Sequence, residues 1–185
     1  MPRRRGASSS TTGLSFARRP AAKPETRFLV RFAAFLALFY LAVAVQPVND
    51  YVIVPFTARI VTVSTAALKT LGEPARSVGT RISAPGFAVD VKNGCNGVEA
   101  MLILVAAVLA FPAPWGRRLA GIAVGIAVIQ ALNLVRVVSL FWLGVHRRDI
   151  FETFHTAVWQ TILILVAVGV FLLWSRRVGN REARA

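Results

Sequence analysis

Apolar residues fall along this chain in long runs separated by short polar clusters. Phe28 to Val45 gives about 18 nearly uncharged residues, roughly enough to cross a ~30 Å hydrocarbon core as a helix. Gln46-Pro47 ends it. Val98 to about Trp115, stopped by Pro112 and Pro114, predicts a second span. Leu119 to about Val145 and Thr156 to Trp174 predict a third and a fourth. Tyr51 to Leu71 is also apolar, but Arg59, Lys69, Pro55 and five Thr or Ser interrupt it, which predicts an amphipathic helix lying at the interface. Between Glu73 and Lys92, Gly and Pro punctuate two short alternating pieces, Thr80 to Ser83 and Phe87 to Val91, and these predict a small external hairpin. The expected fold class is all-α: a polytopic transmembrane helical bundle of about four spans, with that interfacial helix and hairpin added.

Composition supports a membrane chain. Of 185 residues, 56% are hydrophobic and 16% charged, and the mean hydropathy is +0.61. Soluble domains carry about 25% charged residues. The apolar fraction is too high for intrinsic disorder of the whole chain. Cys95 is the single cysteine, so no internal disulfide framework exists. Two His and one Cys, far apart, give no metal-ligand spacing, and no phosphate-cradling Gly-x-x-x-x-Gly-Lys loop occurs, so neither metal nor cofactor is expected. An excess of 22 Lys and Arg over 8 Asp and Glu gives +14. Nucleic acid is not the expected partner, because the Arg residues lie in tails and loops flanking the apolar runs. The lipid bilayer is.

The basic clusters orient the chain. Residues 1–27 hold seven Arg or Lys among Ser, Thr, Gly and Pro and read as a disordered tail. Residues 28–174 form the membrane domain, and 175–185 a second basic tail. Positive charge favours the cytoplasm, so both tails and Arg117-Arg118 are placed inside. Four spans allow this. Arg147 and Arg148 then lie on the outer side beside Asp149 and Glu152. Ala42-Val43-Ala44 resembles a signal-peptidase site, but the long apolar run favours an uncleaved helix.

Three unusual polar residues then reach one depth. Cys95 lies in Asn93-Gly94-Cys95-Asn96-Gly97-Val98-Glu99, just before the second span at its outer end. Arg136 is about 25 Å up the third span, counted from Leu119 at 1.5 Å per residue. His155 opens the fourth span from outside. Each has an ordinary reading: an inert buried thiol, a snorkelling Arg, an interfacial His. An Arg in a span costs roughly 2.5–3.5 kcal/mol, however, and needs a partner or a watery cavity.

Asn96 to Glu99 has the spacing of a helix start, with Asn96 as cap and Glu99 reaching back. A thiol there feels the positive helix end, which lowers its pKa. The amides of Gly97 and Val98 are suited to an oxyanion, and Gly94 and Gly97 leave room for a substrate backbone. His155 is suited to take the thiol proton or to pair with the thiolate, and later to protonate a leaving amine. Arg136 offers a fork of donors for an oxygen; Asn133, one turn before it, is placed to orient it, and Glu152 similarly His155.

These segments, with Asn133-Leu134-Val135-Arg136-Val137, resemble the exosortase/archaeosortase family of polytopic membrane cysteine proteases or transpeptidases. The resemblance runs from about Val48 to Trp174, in a compact form similar to the exosortase H subgroup. Family members commonly carry Cys-Ser-Gly where this chain has Cys95-Asn96-Gly97. The resemblance implies Cys95 as nucleophile, His155 as acid/base and Arg136 as substrate or oxyanion stabiliser. It implies as substrate an exported protein ending in a recognition motif, a transmembrane helix and a basic tail, cleaved through a thioester at the outer face of a bacterial inner membrane. The rival readings are a noncatalytic scaffold or assembly factor for envelope polysaccharide export, and a small transporter with an anion on Arg136.

Overall fold

A computed structural model describes residues 23–182. The expected basic tails therefore lie partly outside the described residues. Helix α1 (Pro24–Ala44) begins inside the stretch read as tail, with Pro24 in its first turn where a missing N–H costs nothing. At the other end the final helix continues through Ser175 to Asn180.

Among the described residues, five helices and one small sheet make up the fold. After α1, a break at Val45, in extended conformation, leads into α2 (Gln46–Thr70), which contains a π turn at Asn49–Ile53. Strands β1 (Arg76–Val78), β2 (Arg81–Ala84) and β3 (Phe87–Asp90) follow as an antiparallel meander in the order β1-β2-β3. Helix α3 (Val98–Ala110) ends where Phe111 turns extended ahead of Pro112. Helix α4 (Trp115–His146) is 32 residues long. Helix α5 (Arg148–Asn180) contains a second π turn at Phe154–Val158.

Four of these are long and apolar enough to cross a membrane: α1, α2, α4 and α5. By length and hydropathy α2 qualifies where the run from Val98 was expected to. The run from Val98 to Trp115 yields a helix of only 13 residues, about 20 Å and short of a full hydrocarbon core. Pro112 and Pro114 bring it to an early end.

The segment Tyr51 to Leu71, expected to lie flat at an interface, instead stands alongside the second half of α4. An interfacial helix turns its hydroxyls to water; α2 turns three of its five Thr and Ser inward. Thr57, Ser64 and Thr65 are buried, while Tyr51, Val52, Val54 and Val63 are exposed. Its end meets the end of α4, where Glu73 Oε1 and His146 Nε2 lie 2.7 Å apart.

The core is divided in two along α4. One half packs Ala100, Leu104 and Val108 of α3 with Ile129 of α4 and Leu163 and Ala167 of α5. At its far end Phe28 of α1 stacks on Phe171, and Phe111 meets Trp174 edge to face. The other half packs Val61 and Leu68 of α2 and Ile82 of β2 with Val137 and Phe141 of α4. Fully burying such side chains contributes about 1.5–3 kcal/mol each relative to water. Where the two halves meet, α3 starts, α4 carries its buried polar residues and α5 carries its π turn.

The hairpin expected between residues 80 and 91 is present, with a third strand before it. Its Pro85-Gly86 turn is tied down by Arg148, which donates to the Gly86 carbonyl and lies over the Phe87 ring. Arg147 pairs with Asp149 at 3.0 Å. The two arginines that broke the charge pattern thus have local partners.

Candidate active site

The segment between β3 and α3 is held from both sides. Val91 N–H donates to Thr80 O at 2.9 Å, and Cys95 N–H closes a turn on Lys92 O at 3.0 Å. Asn93 Nδ2 donates to Asn49 Oδ1 of the first π turn at 3.1 Å. Asn96 is wholly buried and joins three elements. Its Nδ2 donates to Thr57 Oγ1 at 3.0 Å and its Oδ1 accepts from Val98 N–H at 3.1 Å. Gly97 has φ +76, and a Cβ there would lie 3.0 Å from Gln130 Nε2 and 3.1 Å from Asn133 Cγ. Both the left-handed backbone and the close approach of α4 select glycine.

This rigid loop presents Cys95 to α4 and α5. Cys95 Sγ lies 3.0 Å from His155 Nε2. Arg136 Nη2 lies 3.8 Å from the same sulfur, and Nη1 donates to Gly94 O at 3.0 Å and to Gln160 Oε1 at 3.4 Å. The π turn of α5 carries His155, whose ring stacks on Phe151 at 5.5 Å; such turns recur at functional sites. The three side chains face a cavity of about 230 Å³. Its other walls are mainly apolar, from Val137, Leu140, Phe141 and Phe151.

Burial pushes the Cys95 thiol above its ordinary value; the Arg136 charge opposes this and Glu99 adds to it. The pKa-lowering effect expected of a helix start is outweighed. Cys95 precedes the Gly97 cap by two residues, outside the first turn where the dipole is felt.

Other expected contacts are rearranged. Asn96 caps from one position before the N-cap, and Glu99 returns no hydrogen bond among the described residues. Val98 N–H is already given to Asn96, which removes it as a free oxyanion donor. Asn133 does not orient Arg136: its amide is buried against Gly97, and neither Nδ2 nor Oδ1 has a partner among the described residues. Glu152 lines the cavity without bonding His155. Gln160 and Phe151 take those orienting positions. Sequence reasoning passed over both, along with Thr57 and Gln130, because each reads as an unremarkable member of its helix. Among the described residues no cluster of three or more His, Cys, Asp or Glu is placed to hold a metal.

The family model for transmembrane exosortases matches residues 21–175. The chain belongs to that family. The match takes in α1 to α4 and α5 as far as Ser175, and with four apolar helices it marks this exosortase as a multi-pass membrane protein. Membership carries a membrane protease or transpeptidase kind of role. No curated protein and no solved structure matches the chain.

Proposed function

We propose that this exosortase cleaves C-terminal sorting signals of exported proteins through a thioester on Cys95. The observation that carries this reading is the 3.0 Å approach of Cys95 Sγ to His155 Nε2 beside a buried Arg136. The step is written from the thiol, the form that burial of Cys95 favours. His155, with its proton on Nδ1, accepts the thiol proton at Nε2 as Sγ attacks the scissile carbonyl carbon. Arg136 Nη2 is the charged donor nearest the developing oxyanion. The tetrahedral intermediate collapses: the C–N bond breaks, Nε2–H protonates the leaving amine, and the thioester remains. Water or an acceptor amine or hydroxyl then attacks it, giving its proton to His155, and the thiolate recovers a proton from the imidazolium.

Supporting roles follow from the contacts. Asn96 and Gly97 fix the nucleophile loop, Gln160 and Gly94 hold the guanidinium, and Glu99 tunes the sulfur. Asn133 fills the space under Gly97. The chain is placed in a bacterial inner membrane with both termini cytoplasmic and the cavity facing outward, where exported substrates and their acceptors are found. In this arrangement α1, the shorter α3, α4 and α5 cross the membrane, while α2, though long enough to cross, stands with the sheet on the outer side.

The test is processing of a co-expressed exported protein that ends in an apolar helix and a basic tail. Cys95→Ala abolishes it at unchanged exosortase level if the reading is right. Undiminished processing favours the noncatalytic scaffold instead.

A further inference from the structure

β3 is an edge strand, paired only with β2. Its register sets Phe87 opposite Ala84, Ala88 opposite Ser83, Val89 opposite Ile82 and Asp90 opposite Arg81. The Val91 N–H to Thr80 O bond marks that pair as hydrogen-bonded. Antiparallel pairs alternate, so Val89 and Phe87 also bond to β2, while Ala88 and Asp90 direct N–H and C=O away from it. Among the described residues these groups have no backbone partner. The same strand borders the cavity, which Val89, Asp90 and Val91 line together with Cys95 and His155. One turn of chain, closed by Cys95 N–H on Lys92 O, separates the strand from the nucleophile.

We propose that the open edge of β3 is the substrate-binding edge. The occupant is an extended peptide segment of the substrate protein, which adds to the sheet as a fourth strand and so delivers its scissile bond to Cys95. Main-chain bonds to Ala88 and Asp90 supply affinity, and alternate side chains of the segment meet the apolar wall of Val137, Leu140 and Phe141. This rests on the cysteine peptidase reading above and adds to it a mode of recognition.

The test uses the full chain in detergent and two alkylating probes with one leaving group: chloroacetamide and acetyl-Ala-Val-Ala-Ala chloromethyl ketone. In each, a bond forms from Sγ to the probe's methylene carbon, chloride departs and the thiol proton passes to solvent. The mass of the Cys95 peptide reports the rate. The peptide probe reacts faster on the native chain. Ala88→Pro removes one open-edge donor from a position where an edge strand tolerates proline. It lowers the ratio of peptide to chloroacetamide rates by about tenfold, the worth of roughly one hydrogen bond, whereas Ala88→Ser retains the ratio. Should Ala88→Pro fail to fold, peptide probes N-methylated at single positions serve on the native chain. Strand pairing predicts loss at alternate positions only. A peptide probe with no advantage, or a ratio indifferent to both Ala88→Pro and N-methylation, overturns the edge. Failure of both probes to label Cys95 at all instead overturns the reading beneath it.

Discussion

Arg136 Nη1 donates to the Gly94 carbonyl at 3.0 Å, so a side chain of α4 grips the backbone immediately before the nucleophile candidate. The same guanidinium reaches the sulfur and Gln160, a fork that a lysine ammonium cannot reproduce. Arg136→Lys is expected to lower substrate processing by about 10²-fold or more, the cost of losing a preorganised oxyanion donor. Initial rates at matched protein level check this; near-native rates would mean that charge alone suffices.

Burial raises the Cys95 thiol pKa, so its thiolate fraction stays small at neutral pH and grows only as pH climbs past the ordinary value of 9.0. Chloroacetamide labelling of Cys95 is expected to rise with pH across that range. Glu99→Gln removes a charge that favours the protonated thiol and shifts the inflection down; Arg136→Gln removes the opposing charge and shifts it up. An inflection in the native chain below the ordinary thiol value contradicts a start from the thiol.

Asn96 joins α2, the nucleophile loop and the first turn of α3 through buried hydrogen bonds. Asn96→Ala leaves Val98 N–H without that acceptor, at a cost of about 1–3 kcal/mol. Thermal unfolding in detergent should show a lowered midpoint. An unchanged midpoint would mean that the loop is held by its other contacts.

Gly121 lies under the Trp174 ring, whose Nε1 donates to Arg117 O at 3.0 Å. A methyl at Gly121 collides with that ring, so Gly121→Ala is expected to destabilise the α4–α5 contact by about 1–3 kcal/mol. Gly169 faces open space within its helix, and Gly169→Ala should be neutral or slightly stabilising. Comparison of the two midpoints separates a packing cost from a general helix effect.

Much of this geometry was legible because charge and reactivity are rare in an apolar chain. Cys95, Arg136 and His155 stand out from their runs, and counting rise per residue placed them at one depth; the sulfur lies within hydrogen-bonding range of both the guanidinium and the imidazole. The partners were not legible. Gln160 and Thr57 are ordinary polar residues until two helices are set in register. Asn133 shares a helix face with Arg136, yet that spacing does not say whether the amide points along the face or into Gly97. The packing of α2 against α4 was hidden because its hydroxyls suggested water, when Thr57, Ser64 and Thr65 pack inward and Val52, Val54 and Val63 lie outside. Strand β1 was missed because three residues show too little alternation.

The most direct test of the thioester is the mass of the full-length exosortase after brief incubation with its substrate protein. The account predicts a transient increase equal to the substrate's amino-terminal product less one water, localised to Cys95, released by hydroxylamine and absent from Cys95→Ser. Substrate turnover with no adduct on Cys95, retained in Cys95→Ser, would contradict it.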